Sequence, residues 1–169
     1  MGVQYYGLSH LFTQWGARHS PKIVATVDGV EQRIFGWDTD ASGEPYRRFL
    51  TQFLPALKRF LQEHHLESRV MMHVSDEPET PHLESYRSAK ELIAEWMGDI
   101  PLRDALTEYS FYERGIVTRP VVASNHIEPF LAHGVPDLWT YYCSAQYQEV
   151  ANRFFSMPSS RNRIFGVQL

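Results

Sequence analysis

The strongest constraint on folding lies between Tyr46 and Glu77, where the hydrophobic period of the chain changes. From about Tyr46 to His64, the residues Tyr46, Phe49, Leu50, Phe53, Leu54, Leu57, Phe60 and Leu61 keep the i, i+3, i+4, i+7 spacing of one buried helix face. Arg69 to Val74 follows as a short apolar run of β type, cut off by Ser75-Asp76-Glu77-Pro78. A helix leading into a buried strand that ends in a polar loop is the unit from which parallel α/β folds are built. Pro55 sits inside the helical pattern. It lacks an N–H and crowds the preceding turn, which predicts a kink or a division of the helix in two.

The same alternation runs along the rest of the chain, with no internal repeat and no low-complexity tract. β-like runs cover Gly7 to Phe12, Ile23 to Val27 and Arg33 to Trp37, and Asp28-Gly29 between the last two is a hairpin signal. A second helix is expected from about Pro81 to Met97, with Leu83, Tyr86, Ala89, Leu92, Ile93 and Trp96 on its apolar face. Thr80 suits its N-cap, Pro81 the first helical position and Gly98 the stop. Further strands are expected at Asp104 to Leu106, Val121 to Ser124 and Leu138 to Cys143. A helical segment near Gln146 to Phe155 then precedes Ile164 to Leu169. This order fits either a (β/α) barrel or an open parallel sheet, within a single α/β domain over residues 1–169.

Composition excludes several classes of function. Net charge is −4 with Lys and Arg scattered, so there is no concentrated basic face for a nucleic acid or an acidic membrane surface. No segment is apolar for long enough to span a bilayer as a helix. Cys143 is the only cysteine, which rules out an intrachain disulfide, and it reads as a small buried residue. His-Glu-x-x-His and Cys-rich metal spacings are absent, so neither a metal site nor a cofactor is expected. The start, Met1 to Leu8, does not read as a signal peptide, and the compartment stays open. Aromatic residues reach 14 %; composition favours a ring-rich core over a sugar-stacking site.

The chemically informative stretch is His73-Val-Ser-Asp76-Glu77-Pro-Glu79. Carboxylates where a strand gives way to a loop occupy the face that carries active sites in parallel α/β folds. A solvated acidic loop, or an acidic cluster ahead of the next helix, explains the same residues about equally well. Pro78 predicts an extended backbone at Glu77. Neighbouring residues of one strand point to opposite sides, so the pair is poorly placed to flank a glycosidic bond as nucleophile and acid. The pair suits another division of labour. A 2-acetamido oxygen of the substrate is the nucleophile, one acid protonates the leaving oxygen, and the other steadies the acetamide. An ionised Asp76 would also raise the pKa of Glu77 toward that of a general acid.

The runs His10-Leu-Phe-Thr-Gln-Trp-Gly16, Phe35-Gly-Trp37, His73-Val-Ser-Asp-Glu-Pro78 and Leu138-Trp-Thr-Tyr-Tyr-Cys143 resemble the catalytic domain of glycoside hydrolase family 123. So do Asn152-Arg153 and Met157-Pro-Ser-Ser-Arg-Asn-Arg163, and the motifs occur in the expected order from His10 to Leu169. The resemblance implies a (β/α)8 barrel and an exo-acting, retaining β-N-acetylgalactosaminidase working through an oxazoline. By position, Asp76 is implied as the acetamide-orienting residue and Glu77 as the general acid/base. The alternative class is a noncatalytic carbohydrate-binding remnant or an inactive fragment.

His10, Trp15, His73, Trp139, Tyr141 and Tyr142 are expected to bind substrate from strand ends and loops. Alternation sends Trp139 and Tyr141 one way and Tyr142 the other, and plain packing competes with a binding role. Arg153, Arg161 and Arg163 are weaker candidates for an anionic sugar. Against the layout of the family, roughly five of eight strands are present, a barrel truncated at both ends. The chain alone is therefore expected to be inactive, with self-association across its open sheet edges.

Overall fold

A computed structural model describes residues 3–146, 150 and 152–168. Five short strands run parallel in sequence order. β1 (Tyr6–Gly7) pairs with β4 (Val70–Met71), while β5 (Asp104–Leu106), β6 (Pro120–Ala123) and β7 (Trp139–Tyr141) form a second ladder. A parallel bridge between Met72 and Leu102 joins the two: the Met72 N–H donates to Pro101 O at 2.8 Å, and the Arg103 N–H to Met72 O at 2.9 Å. An antiparallel hairpin of β2 (Ile23–Val27) and β3 (Val30–Phe35) stands apart from this series. Its turn is Asp28-Gly29, with φ of 52° and 80°, the left-handed pair that a two-residue hairpin turn demands and that glycine accommodates without strain.

Helices fill the connections. α1 (Glu44–Glu63) and α2 (Leu83–Met97) pack together beside β1 and β4, α3 (Tyr109–Glu113) links β5 to β6, and α4 (Glu128–Ala132) links β6 to β7. The apolar period seen in sequence is the packed face. Tyr46, Leu50, Leu54 and Leu61 of α1 and Tyr86, Ala89, Ile93 and Met97 of α2 are buried in one core with Val70, Met72, Val74, Leu106, Val122 and Phe130. Leu54 is fully buried, and hiding such a side chain contributes about 1.5–3 kcal/mol.

Several expectations change. α1 runs unbroken through Pro55, because burial of one face on both sides of the proline holds it as one helix. The run from Gly7 to Phe12 is strand only at its first residue; Leu11 and Phe12 instead turn inward to the core, and the Tyr46 hydroxyl donates to the Leu11 carbonyl. Thr80 does not cap α2. It belongs to a 3-10 turn, Thr80–His82, in which Glu79 and His82 form a reciprocal capping box. Of the expected helix from Gln146 to Phe155, residues 147–149 and 151 lie outside the described residues and the remainder is not helical; α5 (Ser159–Gln168) begins after Pro158. Cys143 is exposed rather than buried, because it lies past the end of β7.

Candidate active site

The two acids lie beyond the end of β4, in a turn that three neighbouring segments hold in place. The Trp15 N–H donates to the Asp76 carbonyl at 2.9 Å, and the Ser75 hydroxyl donates to the Thr13 carbonyl at 2.7 Å. Ser75 is fully buried, and these bonds fasten the loop that carries Thr13 and Trp15 to the acidic turn. Gly16 makes that approach possible. Its φ is +119°, and a Cβ there would stand 2.7 Å from the His82 ring. Trp15 and Ala17, with φ of 57° and 56°, carry the same left-handed bend without glycine's freedom.

Glu77 is also left-handed, with φ of 44°. The expectation of an extended Glu77 ahead of Pro78 is therefore incorrect. Pairing has already ended at Met72, and the turn is held from outside by the Trp15 bond and by the Tyr141 hydroxyl, which donates to Glu77 Oε1. For the same reason the rule that neighbours in a strand face opposite ways does not govern Asp76 and Glu77. A non-glycine residue in this region costs on the order of 1–3 kcal/mol, and such strain concentrates at functional turns.

The electrostatics of the turn centre on Asp76. Burial raises the Asp76 pKa, and the neighbouring Glu77 charge raises it further, while His10 and His73 pull it down. Tyr141 is held well above its ordinary value by burial and then by its bond to Glu77. The His73 and His10 rings meet in a tilted arrangement, with centroids 4.8 Å apart at 34°. Their pKa values move in opposite directions. Burial and then the proximity of His73 lower His10, whereas Asp104 is the main cause that raises His73.

Of the residues expected at the site, His10, Trp15, His73 and Tyr141 thus converge with Asp76 and Glu77. Trp139 and Tyr142 flank Tyr141 on and just past β7. Trp139 is 44 % exposed with the Arg103 guanidinium 4.1 Å over its ring, and Tyr142 faces Arg153 at 5.8 Å. Arg161 and Arg163 lie on α5. A cavity of about 530 Å³, lined by Phe12, His19, Asp40 and Ser85, lies away from the acids.

Asp104 is the residue that sequence reasoning missed. It is fully buried at the start of β5, where both its oxygens receive the Val74 N–H at 3.0 Å and Oδ2 also receives the Tyr86 hydroxyl. The available signal was a charged residue inside a run of strand character. His10, His73 and Asp104 bring ligating atoms within 4.8 Å of one another. Within this trio the Asp104 carboxylate accepts from the Val74 N–H and the Tyr86 hydroxyl, which tie it into the fold.

Comparison with known proteins bears on the family and the fold. A family 123 glycoside hydrolase from Clostridium perfringens, whose structure was solved to detail glycolipid glycan hydrolysis, shares the fold with a TM-score of 0.52 at 16 % identity. The match covers 76 % of this chain and 24 % of that chain. No curated protein matches. The sequence model described as glycoside hydrolase 123, catalytic domain, matches residues 1–169. With the acidic turn at the end of a parallel strand and a family match along its full length, the chain belongs to glycoside hydrolase family 123.

Proposed function

We propose that this chain carries the catalytic turn of a retaining glycosidase that hydrolyses a terminal β-linked N-acetylgalactosamine, or a related 2-acetamido sugar, with the substrate's acetamido oxygen as nucleophile. The observation that carries the reading is the left-handed turn at Asp76-Glu77, with Tyr141 bonded to Glu77. In this account Glu77 protonates the leaving oxygen and later takes a proton from water. Asp76 orients the acetamide N–H and steadies the positive charge of the oxazolinium. Burial that raises the Asp76 pKa also lowers the local dielectric in which that charge is met. His10, Trp15, His73, Trp139, Tyr141 and Tyr142 are proposed to bind the sugar, and Trp15, 57 % exposed, offers a stacking face. The test is inhibition: an oxazoline-mimicking thiazoline should compete with substrate, whereas a covalent glycosyl-enzyme trapped on a carboxylate would refute the acetamide route.

The five parallel strands are proposed to be consecutive strands of a (β/α)8 barrel, with residues 1–169 one part of that domain. Among the described residues β1 pairs only with β4 and β7 only with β6, so each leaves one edge open. Open edges favour pairing with another strand, which supports self-association of this chain when it is isolated.

A further inference from the structure

We propose that Asp104 is a positioning residue that holds the His73 ring as the imidazolium, with one N–H directed at the Asp104 carboxylate, so that the other ring N–H is left to donate a hydrogen bond to substrate. This rests on the glycosidase reading and names a determinant of substrate binding that the acidic pair does not supply. His73 Nδ1 stands 3.6 Å from Asp104 Oδ1, an ion-pair separation. Asp104 is inaccessible to solvent while the His73 side chain is 25 % exposed, so the ring stands between a buried carboxylate and the surface. Nε2 faces Gly7 of β1, 3.4 Å from the point where a Cβ would stand, an ordinary van der Waals separation. A buried carboxylate against one imidazole nitrogen fixes which nitrogen carries the proton and favours the charged form.

The surroundings of Asp104 make it rigid. Its two bonds from the Val74 N–H tie it to the segment that leads into Asp76, and the Tyr86 hydroxyl fixes it from α2. The charged and titratable groups that face this pair are His10 from the loop after β1, Asp76 beyond β4, and Tyr86 and Lys90 from α2. Of these, His10 opposes a charge on His73 and Asp76 supports one. Asp104 is the carboxylate paired with Nδ1, at 3.6 Å, and it is the first cause of the raised His73 pKa.

The experiment uses the full-length protein and three variants, Asp104→Asn, His73→Asn and the double substitution, with Ile93→Val, a buried apolar change, as the packing control. Histidine titration by NMR reads the pair without requiring turnover. In the parent protein His73 should titrate above 6.5 with Nδ1 protonated when neutral, and Asp104→Asn should bring it down. With an aryl N-acetyl-β-galactosaminide, Asp104→Asn should lower kcat/KM on the order of 10-fold or more, mainly through KM, and shift its alkaline limb to lower pH. The double variant should be no worse than His73→Asn, and Ile93→Val should lower the melting temperature without moving the limb. An unchanged His73 titration in folded Asp104→Asn overturns the proposal, as do additive losses in the double variant. A parent enzyme without turnover would overturn the glycosidase reading, and the NMR titration would still decide the Asp104–His73 coupling.

Discussion

Glu77→Gln isolates the proton from everything else Glu77 does. Gln has the same length, keeps an oxygen for the Tyr141 hydroxyl and bears a Cβ like Glu, so the left-handed backbone at φ 44° is no more strained than before. Stability should therefore change by less than about 0.5–1 kcal/mol, the usual range for a substitution that opens no cavity and buries no new charge. What disappears is the acid. General acid catalysis contributes about 10²–10⁴ in rate, or roughly 2.7–5.4 kcal/mol of barrier at about 1.36 kcal/mol per decade. The assay is hydrolysis of two N-acetyl-β-galactosaminides by the full-length protein, one with an acidic phenol as leaving group and one with an alkyl alcohol. The loss should be largest for the alkyl glycoside, whose oxygen most needs the proton. Equal rates for variant and parent on the alkyl glycoside would refute the assignment of Glu77.

Asp76→Asn should abolish most turnover yet melt higher than the parent at neutral pH. The folded pKa of Asp76 is raised, so the cost of ionising it in the fold is present above that pKa and vanishes below the ordinary value of 3.8; the melting difference should shrink as pH falls toward that value, and a constant difference would refute the account. Gly16→Ala should destabilise the protein by roughly 1–3 kcal/mol and reduce turnover, because the new Cβ meets the His82 ring at 2.7 Å in a left-handed backbone; chemical denaturation and the same assay check this, and a silent substitution would show that the loop is not held on the acids. Residues 1–169 expressed alone should elute from size-exclusion chromatography as dimers or larger and lack turnover; a sharp-melting, active monomer would contradict the open-edge argument.

What the sequence disclosed follows from which forces are local. The periodic face of α1, the Asp28-Gly29 hairpin and the strand Asp104 to Leu106 were legible because spacing and turn chemistry act over a few residues. Pro55 misled in the other direction, since its local penalty is outweighed by a core that buries Leu50, Leu54 and Leu61 along one helix. The left-handed Glu77 was not legible either. Pro78 argues for extension, and the bonds that override it come from Trp15 and Tyr141, both more than sixty residues away in sequence. Asp104 was hidden for the same reason, because its partners Val74 and Tyr86 belong to other elements. The acids Asp76 and Glu77 stood out only because two carboxylates share the end of one β-like run.

The central claim is that the substrate supplies the nucleophile, and the measurement that tests it most directly compares two sugars in the full-length protein. An aryl β-galactoside with a 2-acetamido group and its matched 2-hydroxyl analogue have the same leaving group and differ only at the proposed nucleophile. Asp76 and Glu77 lie side by side in one turn, and the substrate-assisted route assigns neither of them to attack on the sugar. The account predicts that kcat/KM falls by several powers of ten when the acetamido group is replaced. Equal rates on the two sugars would contradict it.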